Sequence, residues 1–313
     1  LQKELMQRRP KVSVLLVTYN HERYVREAIQ SILMQVHDYP WELIVADDCS
    51  TDSTLSVIDE FIGKCDVTYK VLDSENNLGI TKNYKRGFAA CQGDYVAVLE
   101  GDDYWTAPDR LNSMVTFLEG NRGCVMAFNR FTVRNADSRR YNVQPWPLRG
   151  EEFQLITVSD IITDNFIGNF STCVYRNDVI HQLDDSLYEL KVYDWMFNIS
   201  VSQYGLIAYI PRVMSVYRQH SNGTWTQMSE VDKLKETLES IEIYNHYLGR
   251  VYNDEFEGHK ARLLGRMAQL TGEASHPSKS AAFKSLIRRY CPPLIIWIIK
   301  QCIPPAILVR FKG

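Results

Sequence analysis

Residues Glu100-Gly101-Asp102-Asp103 place three carboxylates directly after the apolar run YVAVL. Carboxylates this close repel one another and resist desolvation unless a cation compensates them. Mg2+ or Mn2+ prefers such hard oxygen ligands and commonly adds phosphate oxygens to its shell. The plain alternative is a solvated acidic turn. Two further polar clusters close apolar runs upstream. Thr18-Tyr19-Asn20 follows VSVLLV, and Asp47-Asp48, continuing into Cys49-Ser50-Thr51-Asp52, follows WELIVA. A carboxylate in the second cluster suits a base N–H or a ribose hydroxyl, and equally a turn or a cap. Tyr19 suits stacking on a base, and equally the end of a core strand.

These clusters need elements that bring them together. Residues 11–19, 41–46, 67–72 and 94–99 read as short buried strands. Between them, residues 22–35, 52–61 and 81–91 carry helical apolar spacing, with Ser50 or Thr51 available to cap the second helix. Strand and helix in alternation imply an α/β fold with a mainly parallel sheet covered on both faces. Ligands bind such sheets beyond the C-terminal strand ends, where all three polar clusters fall. Further on, Pro108 suits a first helical turn, with residues 109–118 as helix. Residues 124–133 read as strand, 135–152 as a polar loop and 194–204 as a helix stopped by Gly205. Residues 206–210 and 213–217 read as two short strands, and 230–247 and 255–270 as helices.

Composition sets the remaining bounds. The 313 residues carry a formal net charge of -3, so nucleic acid is not an expected partner. The charge is uneven, however. Seven lysines and arginines and no acidic residue lie from His276 onward. The seven cysteines form no CxxC pair, which argues for reduced thiols in a cytosol. The first eleven residues, LQKELMQRRPK, contain no apolar signal segment.

Three stretches taken together, VSVLLVTYNHERYVREAIQSIL, WELIVADDCSTDST and NNLGITKNYKRGFAACQGDYVAVLEGDDYW, resemble the family 2 glycosyltransferases of the GT-A fold. The resemblance runs from residue 11 to about 225 and is strongest to bacterial surface-polysaccharide (O-antigen or capsule) enzymes. It implies an inverting, metal-dependent transferase acting on a nucleotide-sugar donor, UDP-linked by expectation. Thr18, Tyr19 and Asp48 would hold the nucleotide. Asp102 and Asp103 stand at the family's DxD-type positions, for ribose and for Mg2+ or Mn2+ with the diphosphate. Glu100 replaces a frequent first aspartate and joins the metal set.

The resemblance also implies a general base some ninety residues later, at a helix start, where Asp194 stands in VYDWMFN. An inverting transfer needs such a group to deprotonate the acceptor hydroxyl as it attacks. A bare helix N-cap is the competing role for Asp194. Trp195 either lines the acceptor site or packs. In the YRQH segment, His220 is a candidate third metal ligand or diphosphate contact, assisted by Arg218.

Residues 291–309 (CPPLIIWIIKQCIPPAILV) are apolar but interrupted by Lys300 and two proline pairs. That favours an interfacial anchor over a spanning helix, with flanking arginines meeting anionic headgroups. The expected organisation is a GT-A domain over 1–225, a helical extension over 226–275 and a membrane-associating tail over 276–313. The expected location is the cytoplasmic face of the plasma (inner) membrane, beside a lipid-linked or saccharide acceptor, with homo-oligomerisation left open. A sugar nucleotidylyltransferase would require a glycine-rich loop after the first strand, and TYNHERY has no glycine. A non-catalytic nucleotide-sugar binder would have lost a carboxylate at one of these positions, and none is missing.

Overall fold

The computed structural model describes residues 9–63, 67–72, 74–135, 141–145, 152–191, 193–221, 223 and 225–272. The chain divides into two compact units, Leu1–Ser221 and Asn222–Gly313.

The first unit opens with β1 (Val12–Thr18), α1 (Val25–Leu33), β2 (Trp41–Asp47), α2 (Thr54–Ile62), β3 (Thr68–Val71), α3 (Ile80–Ala90) and β4 (Tyr95–Glu100). β1 pairs in parallel with both β2 and β4, and β2 pairs in parallel with β3. Every residue of β1 is buried, which is why this strand reads as an unbroken apolar run rather than an alternating one. α1 buries Val25, Ala28, Ile29 and Ile32, one stripe at helical spacing, into the core that also takes Val14, Leu16, Leu43 and Leu99. α2 starts two residues later than its sequence suggests. Its N-cap is Ser53, which makes no side-chain cap bond; Asp52 Oδ1 instead accepts from Thr54 N at 2.9 Å.

The chain continues through β5 (Tyr104–Trp105), α4 (Arg110–Gly120), β6 (Cys124–Asn135), β7 (Tyr141–Gln144), β8 (Gln154–Ile156), α5 (Val158–Thr163), β9 (Cys173–Arg176), α6 (Asn177–Ile180), α7 (Asp194–Ser202) and β10 (Leu206–Gln219). The sheet runs β3-β2-β1-β4-β9-β6-β10-β5, with β7 on β6 and β8 on β10. β9 is antiparallel to both β4 and β6, whereas β10 lies parallel to β6. The sheet is therefore parallel on its first side and mixed on its second. The two short strands expected over 206–217 are one strand, β10. Its register shifts between Ile210 and Val213 and again before Ser215, so Pro211 sits in a bulge instead of ending the strand. Part of the polar stretch over 135–152 is also strand, since β7 pairs with β6.

In the second unit, α8 (Glu230–Tyr247) and α9 (Asn253–Leu270) pack around Leu234, Leu238, Leu264 and Met267. Ser229 caps α8 by accepting from Asp232 N at 3.1 Å. A partly buried Lys260–Glu242 ion pair joins the two helices. Among the described residues no helix is long and apolar enough to cross a membrane. The basic, apolar tail expected over 276–313 lies outside the described residues. Cys49, Cys91, Cys124 and Cys173 are free thiols.

Candidate active site

The three polar clusters sit level at one sheet edge because β1 sets the register for both neighbours. Thr18 pairs with Asp47 and Val17 with Glu100. The loops beyond hang from the same strand: Asp48 N donates to Thr18 O at 2.9 Å, and Gly101 N donates to Val17 O at 2.8 Å. Two non-glycine residues at this edge, Asn20 (φ 55) and Cys49 (φ 64), take left-handed backbone. Cross-bonds hold both turns, Asn20 N to Ser50 Oγ at 2.9 Å and Thr51 N to Asn20 Oδ1 at 2.8 Å. Tyr19 projects here with 43% of its surface exposed, while Thr18 is buried with Oγ1 3.3 Å from His21 Nδ1.

Asp48 is buried and faces the loop before α3. Its oxygens accept from Leu78 N at 2.7 Å and Gly79 N at 3.0 Å, and its carbonyl accepts from Asn77 Nδ2 at 3.0 Å. Gly79 has φ 81, so a side chain there would be strained. Asp48 thus shapes the wall of the site through residues 77–79, which lie in a stretch quoted for the resemblance but were given no role there.

The acidic loop does not present three carboxylates together. Asp103 is fully buried and points inward, accepting from Asn169 Nδ2 at 2.5 Å, Ser171 Oγ at 2.7 Å and Arg218 N at 2.8 Å. Glu100 is also engaged, by Tyr84 Oη at 2.9 Å and Asn169 Nδ2 at 3.2 Å. Asp102 alone faces the histidines. Its Oδ2 lies 3.0 Å from His220 Nε2 and 3.8 Å from His21 Nε2. Burial, then the charges of Asp102 and Asp103, push Glu100 well above the usual carboxyl range. Burial, then Asp102, push Asp103 up to about 8. At Asp102 burial works in the same direction, but the two imidazoles outweigh it and hold the group below its ordinary value.

His220 is buried, its ring 4.5 Å from that of Tyr24. Arg218 is sandwiched 4.9 Å from both Tyr24 and Tyr104 and ion-paired with Glu27. Around this loop, three buried polar atoms lack a partner among the described residues: His220 Nδ1, Arg218 Nη1 and Asn169 Oδ1. Such orphans mark a place where a further group belongs. Among the described residues no three His, Cys, Asp or Glu side chains gather as a closed metal cage. The Asp102–His220 pair offers two donors, which suits a cation that completes its shell with phosphate oxygens and water.

On the second side of the sheet, α7 begins at Asp194 with Tyr193 as its N-cap, which makes no side-chain cap bond. Asp194 Oδ2 accepts from Asn165 Nδ2 at 3.3 Å. Burial, opposed by that bond, raises its carboxyl to about 6. Trp195 is 7% exposed and donates its indole N–H to Ile161 O at 2.6 Å, so it packs against α5. One side chain, Tyr217, feels the charge of all four carboxylates. Burial, then the charges of Asp103, Glu100, Asp102 and Asp194, all raise the Tyr217 hydroxyl. His21, Tyr84, Asn165, Asn169 and Ser171 went unnoticed in the sequence. Of these, only His21 and Tyr84 lie inside stretches already singled out.

Comparison with known proteins agrees with this architecture. The sequence signature described as Glycosyl transferase family 2 matches residues 13–182, more than half the chain. An uncharacterized Mycobacterium tuberculosis protein, Rv1520, is 32% identical over 214 residues, covering 68% of this chain and 60% of its own length. Among solved structures, S. aureus TarS in complex with UDP-GlcNAc superposes with a TM-score of 0.60 at 20% identity, covering 87% of this chain and 75% of that one. The mannosyltransferase PcManGT of Pyrobaculum calidifontis, in complex with GDP-Man and Mn2+, gives 0.56 at 15% identity over 95% and 88% of the two chains. The fold is that of the GT-A glycosyltransferases. The chain belongs to glycosyl transferase family 2.

Proposed function

We propose that this chain is an inverting, metal-dependent glycosyltransferase that moves a sugar from a nucleotide-sugar, UDP-linked by preference, to a hydroxyl of a lipid-linked or saccharide acceptor in surface-polysaccharide synthesis. The observation that carries the reading is Asp102, on the β4 loop, facing His220, with Asp194 and the acidic loop both hydrogen-bonded by the short stretch from Asn165 to Asn169. UDP-GlcNAc in TarS and GDP-Man with Mn2+ in PcManGT support a nucleotide-sugar donor and a divalent ion.

In this reading Tyr19 and the loop shaped by Asp48 receive the nucleotide. Asp102 and His220 hold Mg2+ or Mn2+, with Glu100 and Asp103 setting the loop from within. Bound there, the ion would offset charge on the departing nucleoside diphosphate. Asp194 takes the proton of the acceptor hydroxyl while that oxygen bonds to the anomeric carbon. The bond to the diphosphate breaks on the opposite face, so the configuration inverts. A carboxyl near 6 is ionised at neutral pH and still basic enough to accept a proton. The tail over 276–313 would hold the enzyme at an anionic membrane surface.

A thermal-shift screen of UDP- and GDP-sugars, each with and without Mn2+, tests the donor assignment. A ligand at about 100 times its Kd adds about 2.7 kcal/mol of stability. The proposal expects at least one nucleotide-sugar to raise Tm only when Mn2+ is present, and expects that rise to vanish in Asp102→Asn. No Mn2+-dependent shift from any donor would overturn it.

A further inference from the structure

Seven residues, 165–171 (NFIGNFS), reach both chemical ends of the site. At one end Asn165 donates to Asp194 Oδ2 at 3.3 Å. At the other, the Asn169 amide bridges Glu100 Oε2 at 3.2 Å and Asp103 Oδ2 at 2.5 Å. Ser171 closes the acidic turn, accepting from Glu100 N at 3.1 Å while donating to Asp103 at 2.7 Å.

The span between is stiff. Gly168 takes φ +95, and a Cβ there would lie 2.3 Å from the Phe131 ring, so β6 is a wall against which the backbone rests. Thr172 Oγ1 lies 3.0 Å from Ile167 O and 2.8 Å from Asn169 O, tying the turn to itself. Phe170 stacks on Tyr84 at 4.2 Å, and Tyr84 in turn donates to Glu100. Each contact would be unremarkable in isolation. Their placement on one short, wedged stretch is what links the two ends.

We propose that segment 165–171 is a single positioning element that holds Asp194 and the acidic loop at a fixed separation, Asn165 aiming one and Asn169 with Ser171 aiming the other. The roles given to Asp194 and Asp102 rest on the transferase reading; the contacts do not. Reacting groups must be placed to within about an ångström for efficient transfer, so a shared ruler would serve the chemistry better than two independent loops. None of the three polar residues needs to touch a reacting atom. A donated N–H also favours the ionised form of Asp194. Among the described residues, titratable groups that feel its charge include Glu100 at the end of β4, Cys173 and Tyr175 on β9 and Tyr217 on β10.

NMR of the full chain labelled at aspartate 13Cγ gives two readouts without a substrate. The Asp194 signal is assigned by its loss in Asp194→Asn and the Asp102 signal by its loss in Asp102→Asn. The first is followed through a pH titration, the second through broadening by Mn2+ alone. Asn165→Ala should raise the Asp194 midpoint by about half a pH unit and leave the Mn2+ response unchanged. Asn169→Ala and Ser171→Ala should each weaken the Mn2+ response about tenfold and leave the midpoint in place. Gly168→Ala should move both; if it does not fold, Phe131→Leu, which removes the wall, should do the same. An unmoved midpoint in Asn165→Ala, or a central variant that changes only one readout, would overturn the inference. Absence of Mn2+ broadening in the unsubstituted chain would count against the transferase reading, and the Asp194 midpoints would then decide the inference alone.

Discussion

The two sides of the sheet divide the labour. The parallel side, β1, β2 and β4, displays carboxylates at its strand tips. The mixed side, β6, β9 and β10, with the segment leading into β9, supplies the donors that decide where those carboxylates point. Asp102 and Asp103 show the consequence most directly. They are sequence neighbours of identical chemistry, yet one faces two histidines and the other is locked inward by Asn169, Ser171 and the Arg218 backbone. For Asp103, the carboxylate comes from one side and its aim from the other.

That division can be broken experimentally. The largest expected effect is on the second side: Asp194→Asn should lower kcat about 1,000-fold with donor affinity unchanged, measured by steady-state transfer and by calorimetry. A loss under tenfold would remove the base from this side altogether. Next comes the pair of neighbours. Asp103→Ala removes the acceptor shared by Asn169, Ser171 and the Arg218 N–H and should cost about 3 kcal/mol in urea unfolding, whereas Asp102→Ala should cost under about 1 kcal/mol. Equal costs would erase the contrast.

The pH dependence sharpens it further. Asp194 must be ionised to accept a proton, and its carboxyl sits at about 6. The transfer rate should therefore fall as pH drops through about 6, to about a tenth of its plateau at about pH 5. Stability runs the other way for this group. A carboxyl raised on folding contributes fully below its unfolded value, and that contribution is lost as pH rises through about 6. Acid should thus slow the enzyme while the Asp194 contribution to stability grows. The smallest effect belongs to Trp195→Phe, which loses one buried hydrogen bond. It should cost about 1 kcal/mol and leave transfer unchanged, as checked by thermal melts and the same assay.

The parallel side was legible in the sequence because each buried strand is an apolar run that ends abruptly in polar residues. Helices α1 to α4 followed from periodicity, with ends displaced by a few residues. The mixed side was not legible in the same way. β7 hides in a polar stretch, its pairing with β6 carried by backbone. Residues 206–210 and 213–217 read as two strands, whereas a bulge joins them into one. The aims of Glu100 and Asp103 depend on Asn169 and Ser171, some seventy residues away in sequence, and no local pattern encodes that contact. Asp48 and Trp195 teach the same lesson. A carboxylate and an indole suited to ligands are taken up by Leu78, Gly79 and Ile161 of the chain itself.

The loops that follow β2 and β4 each lend their first amides to carbonyls of β1. β1 is the most enclosed strand of the sheet's parallel side, so those bonds should open only when the whole unit unfolds. In hydrogen–deuterium exchange the N–H groups of Asp48 and Gly101 should behave like core-strand amides despite lying in loops. The rim of the site would then retain protons as long as its foundation does.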